Sequence, residues 1–401
     1  MSERQSQWKN LLLLIPQKKK LRILIHASSM GEFEQAKPII EKIKSKFPET
    51  EIIASFFSPS GFRNQQKYKK IDYSCYLPID TKKNAEYFAK QINPDIAIFV
   101  RYDLWLNTLT SLKNIGSKNY LVCATKPSGK FLTNYKIGNQ YLQECYSQFE
   151  YIFTVGSDHS DFISLFYDSK RIKALSDTRA DRILDTVNIA KKNKILPDSL
   201  VGDVFLFIAG SSWTKDETII SQAVNLINKD KFICRVIYVP HEPTERNIEA
   251  IEKLHNKVIR LSAILNELKV FDTDILKNNL KDAHLVVDSI GKLLKLYANA
   301  DAAFIGCGFD DGVHSVSEPA GYGLSIASGP KINTMPDAIE LNKLGGLKII
   351  NNSNELKIWL EKIINDENYR KKISKINENY ILRNSGSSEK ISEIILKSAV
   401  K

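Results

Sequence analysis

The sequence predicts two α/β domains, each built on a parallel sheet, and three observations carry that prediction. Short apolar runs alternate with helical periodicity through the first half of the chain, the same alternation restarts in the second half, and a polar, lysine-rich stretch separates them. The strand-like runs of the first half are Ile23 to Ile25, Ile52 to Phe57, Ile96 to Val100, Tyr120 to Val122 and Ile152 to Val155. Those of the second are Val204 to Ala209, Val236 to Val239, Leu285 to Val287, Ala302 to Ile305 and Lys348 to Ile350. The stretch from Asp181 to Leu200, with Pro197 and then Gly202 as punctuation, reads as the junction, so the expected domains are residues 1–190 and 191–401. Segments 354–365, 367–382 and 386–399 have the spacing of amphipathic helices and are expected to close the second domain.

The 401 residues, 43% hydrophobic and 26% charged, are enough for two ordinary cores. The five cysteines (Cys75, Cys123, Cys145, Cys234, Cys307) are far apart and form no C-x-x-C, which argues against a disulfide framework or a structural zinc site and fits a reducing cytoplasm. No run approaches the roughly 20 apolar residues needed to cross a bilayer, and no signal-peptide pattern is present. The N-terminus places Trp8 and Leu11 to Ile15 before Lys18, Lys19, Lys20 and Arg22. That pattern suits an anionic lipid surface, and equally a helix packed on the domain beside a solvated lysine run. A formal net charge of +11 implies an acidic partner. The lysines are scattered among Ile and Asn and form no aromatic-interleaved stripe, so nucleic acid is not the expected partner.

Ligands of open α/β sheets bind at the carboxyl ends of strands, which selects the candidate site residues. After Ile23 to Ile25 the chain runs His26-Ala-Ser-Ser-Met-Gly-Glu32, and Phe33, Ala36, Ile40 and Ile43 then recur at helical spacing, so Glu32 is placed near the first turn of a helix. After Ile96 to Val100 come Arg101, Asp103 and Trp105; the indole reads as core packing, the two charges as functional. The second half offers Gly210-Ser211-Ser212-Trp213, Pro240-His241 and Asp288-Ser289-Ile290-Gly291 at equivalent positions. It also offers Gly306, Gly308 and Gly312, followed by His314, Ser315 and Glu318. Glycines and a helix N-terminus make a cradle for a nucleotide phosphate, and Glu318 is an acceptor suited to a ribose diol. The competing reading is a glycine turn with a structural His314 and a solvated Glu318. Asp272-Thr273-Asp274 has Asp-x-Asp spacing but no strand before it and reads as a solvated loop; no metal and no cofactor is expected, and no P-loop is present.

Two Rossmann-like domains facing each other across a cleft is the GT-B layout of glycosyltransferases and nucleotide-sugar epimerases. Within it the chain resembles the bacterial 3-deoxy-D-manno-octulosonic acid (Kdo) transferases over nearly its whole length. The residues that carry the resemblance are His26 to Gln35, Leu77-Pro-Ile-Asp80, Pro94 to Val100, Asp177-Thr-Arg-Ala-Asp-Arg182, Ala209-Gly-Ser-Ser212, Tyr297-Ala-Asn-Ala-Asp301 and Gly306 through His314 to Glu318-Pro319. It implies an inverting, metal-independent enzyme that moves Kdo from CMP-Kdo to a phosphorylated lipid A precursor at the cytoplasmic face of the inner membrane, as a peripheral protein. By the same resemblance Glu32 is the general base, and Asp103, near the acceptor side, is a second catalytic residue. Ser211, Ser212, His241, Ile290, Gly291, Gly306, Gly308, His314, Ser315 and Glu318 fall on the donor side, and Arg101, Arg63 and Lys126 on the acceptor side. Departures from the family pattern are Asp103, where Glu is usual, and Ser315, where Asn is usual. The alternatives are another GT-B nucleotide-sugar transferase or epimerase, and a non-catalytic basic protein that binds anionic membrane or nucleic acid.

Overall fold

The computed structural model describes residues 7, 15–127, 136–202, 204–268 and 273–399. The chain divides into two compact units, Met1–Arg182 with Asn384–Lys401, and Ile183–Arg383.

The first unit is a seven-stranded sheet of β1 (Arg22–Ala27), β2 (Glu51–Phe56), β3 (Tyr73–Tyr76), β4 (Ile96–Val100), β5 (Lys118–Ala124), β6 (Phe149–Val155) and β7 (Ile172–Leu175), in the order β3-β2-β1-β4-β5-β6-β7. Every paired strand is parallel. Successive side chains of a strand point to opposite faces, and β1 accordingly feeds two cores. Ile23 and Ile25 pack with Phe33, Ile40 and Ile43 of the helix Met30–Lys46, while Leu24 joins Phe88, Leu109 and Leu142 on the other face.

The second unit repeats the plan with β8 (Phe205–Ser212), β9 (Cys234–Pro240), β10 (Val258–Arg260), β11 (His284–Val286), β12 (Ala302–Ile305), β13 (Ser325–Ser328) and β14 (Leu347–Ile349), in the order β10-β11-β9-β8-β12-β13-β14. All its pairs are parallel as well.

Two expectations about domain limits need correction. The units do divide within the stretch from Asp181 to Leu200, between Arg182 and Ile183 and not after residue 190, and the first part of that stretch lies in the helix Arg179–Lys192. The helices Ser353–Asn365 and Glu367–Arg383 do pack in the second unit, through Leu356, Trp359, Leu360, Ile363 and Ile373. The last helix, Ser387–Ala399, instead returns to the first unit. Its Ile391, Ile395 and Leu396 complete the core beside Ile39 and Ile43. Asp181 fixes its start by accepting the N–H groups of Gly386 and of Ser388, the latter at 2.8 Å.

The N-terminal basic cluster is largely neutralised. Lys18 pairs with Asp95 at 2.9 Å and Lys20 with Glu49. Arg22 is buried, pairs with Glu51 and donates to the carbonyls of Pro16 and Ile92, each at 2.7 Å. Ile15 is part of the core, whereas Trp8 and Leu11 to Leu14 lie outside the described residues. Among the described residues no helix is long and apolar enough to cross a membrane.

The helix Leu106–Asn114 follows β4 and sets the course of the loop that carries Arg101 and Asp103. Its own N-cap, Trp105, makes no side-chain capping bond. Asp80 supplies one from a distant loop, accepting Asn107 N–H at 3.0 Å, Thr108 N–H at 2.8 Å and the Thr108 hydroxyl at 2.6 Å. Asp80→Ala should therefore cost about 1–2 kcal/mol, the scale of a lost helix cap, and Asp80→Asn less; urea unfolding of the two variants measures both.

Candidate active site

In each sheet the chain departs to opposite sides at one place, between β1 and β4 in the first and between β8 and β12 in the second. Such a switch point leaves a crevice at the strands' carboxyl ends. Most of the residues singled out from the sequence lie at these two places.

At the first, Ser29 is the N-cap of the helix Met30–Lys46 and forms a reciprocal capping box with Glu32. Ser29 N–H donates to Glu32 Oε2 at 2.8 Å, and Glu32 N–H to Ser29 Oγ at 3.3 Å. Glu32 is thereby held in one place and is only 6% exposed. Asp103, equally buried, reaches across from the end of β4 and accepts Ser28 N–H at 3.0 Å and Ser28 Oγ–H at 2.8 Å. Burial, and then the negative charge of Glu32, push the Asp103 carboxyl up to about 7 against the pull of those two bonds. His26 lies beneath, its Nδ1 2.9 Å from Ser55 Oγ and its Nε2 3.5 Å from Asp103 Oδ2. Burial pushes the imidazole down to about 3, so it is neutral at ordinary pH. Trp105 packs against Phe57, the rings tilted by 31° with centroids 4.8 Å apart, and meets His26 edge-on, as a packing residue does. The pair can thus hold a proton on Asp103 near neutrality beside a fixed second carboxylate.

The three expected acceptor-side cations are not gathered together. Arg101 and Lys126 follow the adjacent strands β4 and β5, whereas Arg63 is exposed on the helix Pro59–Gln65 after β2, beyond β1. Arg101 has left-handed backbone, φ 66°, and its Nε is buried without a partner.

At the second switch point, Ser211 and Cys307 both have left-handed backbone, φ 50° and 70°. Gly306 is required there, since a Cβ would lie 2.3 Å from the Ser211 carbonyl oxygen and 2.9 Å from Asp216 Oδ2. Asp216, in the first turn of the helix Thr214–Ile227, ties the two turns together. Its Oδ2 accepts Trp213 N–H and Cys307 N–H, each at 3.0 Å. The adjacent Glu217 accepts the Ser212 hydroxyl at 2.9 Å. Burial is the main cause that pushes Asp216 up to about 6 and Glu217 up to about 7. His241 N–H donates to the Ser212 carbonyl at 3.0 Å, and His314 N–H to that of Gly306 at 3.2 Å. The His241 ring stacks on His314, centroids 4.6 Å apart, and on Trp213 at 5.1 Å. Burial, then the charge of His241, lower the His314 imidazole. His314 Nε2 and Trp213 Nε1 are both buried without hydrogen-bond partners, and buried polar atoms left so point to a missing partner.

Other expected donor residues are placed differently. Gly308 packs closely against Gly329, the position of a Cβ there being 2.6 Å from Gly329 N. Ile290, 87% exposed, and Gly291, φ 84°, follow β11, two strands from β8. Ser315 is exposed just before the helix Ser317–Gly321. Glu318 in that helix is half-buried beside Tyr297 and Tyr322, whose phenols are raised by burial first and then by its charge. Among the described residues no group of His, Cys, Asp and Glu is placed to hold a metal ion, and Asp272 lies outside them. The sequence reading missed Ser28, Asp216, Glu217 and the Ser29 half of the capping box. Only the last has a local signature, Ser-x-x-Glu.

Comparison with known proteins gives the chain relatives in sequence and in fold. The family described as 3-deoxy-D-manno-octulosonic-acid transferase (kdotransferase) matches residues 2–182. The 3-deoxy-D-manno-octulosonic acid transferase of Chlamydia muridarum is 24% identical over 94% of this chain and 86% of its own. That of Rickettsia prowazekii is 26% identical over 88% and 77%. Among solved structures, UDP-GlcNAc 2-epimerase from Neisseria meningitidis superposes with a TM-score of 0.65 at 11% identity, covering 94% of this chain and 100% of that one. MurG from Acinetobacter baumannii gives 0.56 at 12% identity, covering 94% and 100%. These two share its fold, two Rossmann-like domains of the GT-B class. By sequence, the chain is similar to the 3-deoxy-D-manno-octulosonic acid transferases over most of its length, with the family match itself on residues 2–182.

Proposed function

We propose that this protein transfers Kdo from CMP-Kdo to the hydroxyl of a lipid A precursor, with Glu32 as the general base, as a peripheral protein at the inner face of the cytoplasmic membrane. The observation that carries the reading is the fixed, buried carboxylate of Glu32 at the first switch point, in a chain with these relatives. The acceptor hydroxyl loses its proton to Glu32 as its oxygen bonds to the anomeric carbon of Kdo. The bond from that carbon to the CMP phosphate oxygen breaks, and CMP leaves with the electron pair. Asp103, raised to about 7, is only partly ionised in neutral solution and so adds less than a full second negative charge beside the base. The CMP phosphate takes the places left open at Trp213 Nε1 and His314 Nε2, with His241, Ser211 and Ser212 around it and Glu318 toward the ribose.

Incubation with CMP-Kdo, generated in place because it is labile, and a lipid A precursor should release CMP and give a product heavier by one or more Kdo. Thermal stabilisation by CMP exceeding that by UDP or UDP-GlcNAc separates this reading from other nucleotide-sugar enzymes, since only a bound nucleotide raises apparent stability. Steeply salt-dependent binding of nucleic acid, with neither effect, would favour a basic binding protein. Glu32→Ala should lower turnover about 10²- to 10⁴-fold, the usual worth of a positioned base, while the CMP-induced shift in Tm stays unchanged. Glu32→Gln, which keeps an acceptor for Ser29 N–H, should be as inactive and more stable than Glu32→Ala. Gly306→Ala should abolish the CMP-induced shift, because its Cβ would force the Ser211 and Cys307 turns apart; an unchanged shift would remove those turns from the donor site.

A further inference from the structure

We propose that His26 is a positioning residue for the carboxyl pair of the first unit, its ring N–H holding Asp103 in place beside Glu32 from beneath. The proposal rests on the reading above in taking Glu32 as the base that Asp103 accompanies. Ser55 on β2, His26 on β1 and Asp103 after β4 stand in line across three neighbouring strands of the sheet. Ser55 Oγ lies 2.9 Å from His26 Nδ1, and His26 Nε2 lies 3.5 Å from Asp103 Oδ2. Ser28 holds the same carboxyl from the loop above, donating its N–H to Oδ2 at 3.0 Å and its hydroxyl to Oδ1 at 2.8 Å.

The fold alone gives no reason for a histidine here. His26 and Ser55 are fully buried, and the residues two before them on the same face, Leu24 and Ile53, belong to the apolar core. Phe99 and Trp105 pack against the ring. A phenylalanine would meet the same packing, whereas an imidazole brings two nitrogens whose burial costs stability unless they are paired. Among the described residues the Ser55 hydroxyl has His26 Nδ1 as its one partner, so it donates to Nδ1 and the ring proton resides on Nε2, facing Asp103. Nε2 reaches no full hydrogen bond, and its contact with Oδ2 acts through the charge of the N–H. Burial keeps the ring uncharged, so it steadies the carboxylate without adding an ion to the pair. The charge that acts on Asp103 is that of Glu32, from the helix Met30–Lys46. Burial, then that charge, favour the protonated acid, and the two Ser28 bonds favour the carboxylate. A donor at Nε2 acts with Ser28.

The full chain, isotopically labelled at its aspartate side-chain carboxyls, is titrated by NMR, and the Asp103 resonance is identified by its absence from Asp103→Asn. In the wild type its midpoint should lie at about 7. His26→Asn keeps a partner for Ser55 but is too short to reach Asp103, and should raise the midpoint by about one pH unit, the scale of a hydrogen bond to a charged group. His26→Gln, which keeps an N–H near the place of Nε2, should leave it close to the wild-type value. The double variant His26→Phe with Ser55→Ala removes both polar partners together, and should raise the midpoint as His26→Asn does while its Tm stays at or above that of the wild type. A midpoint that stays or falls in His26→Asn, or that rises equally in His26→Gln, overturns the proposal, and a lower Tm of the double variant with no change of midpoint assigns His26 to the core alone. Transfer from CMP-Kdo to a lipid A precursor is followed in parallel. In His26→Asn kcat should fall about tenfold, within the reach of a displaced catalytic group, at unchanged KM for CMP-Kdo, and its pH profile should move with the Asp103 midpoint. No transfer by the wild type, with the midpoints moving as expected, overturns the transferase reading alone; transfer by His26→Asn at the wild-type kcat overturns the positioning role alone.

Discussion

Everything in this molecule that could do chemistry depends on one topological constraint, the reversal of winding between β1 and β4 and again between β8 and β12. Elsewhere in a parallel sheet, each loop at the carboxyl end is covered by the next. At the reversal, two loops part and leave polar groups without main-chain partners, which must be met by side chains, water or a ligand. Across the first reversal Ser28 binds Asp103 through both its N–H and its hydroxyl. Across the second, Cys307 N–H reaches Asp216 from the helix after β8. Each carboxylate holds its crevice to a set width, and the apolar layers on either face of the sheets keep the strands that carry it from moving.

The two units solve the same problem with the same device used differently. In both, the third residue of the helix that follows the strand sends a carboxylate back to the N-cap N–H, Glu32 to Ser29 and Asp216 to Trp213. Asp216 also accepts the cross-loop bond, which fully commits that oxygen to structure. Glu32 is spared this because Asp103 bridges the loops instead, so its remaining capacity to accept is not consumed by the fold. A capping residue is normally worth about 1 kcal/mol of helix stability; at Glu32 the same bond also holds the carboxylate in place, the preorganisation that the proposed base needs.

The central strands were legible because each is buried on both faces and reads as an unbroken apolar run. The strands absent from the sequence reading, β3, β7, β10 and β13, are short, lie at or next to the sheet edges, and include the polar ends of Ser-Ile-Ala-Ser. The helix Arg179–Lys192 went unread within the junction because its exposed lysines hide the buried Ala180, Ile183, Val187 and Ala190. At the site, Glu32, Asp103, Gly306 and His314 could be found because a strand end announces them. Asp216 and Glu217 could not, since only contacts made across different loops distinguish them from other polar residues in a first helical turn. Several carboxylates in the family motifs serve the fold instead. Asp80 caps a helix, Asp181 anchors the last one, and Asp301 accepts Leu206 N–H at 2.8 Å. Asp177 accepts Gln35 Nε2 at 2.8 Å, tying that segment to the helix that bears Glu32.

The two crevices also differ in how they would meet an anion, and the difference suits the proposed roles. The second offers backbone N–H groups and a stack of Trp213, His241 and His314 in which burial keeps His314 from charging readily. Neutral donors of this kind suit the single charge on the phosphate of a nucleotide sugar, and they bind the doubly charged product less tenaciously than lysines would, so that release does not become the slow step. The first offers a permanent cation, Arg101, beside the fixed carboxylate of Glu32, which suits an acceptor group that would keep its charge. An anion that is only held can be met with full charge, whereas one that departs is better met with dipoles; the net charge of +11 therefore says less about function than where unpaired cations stand.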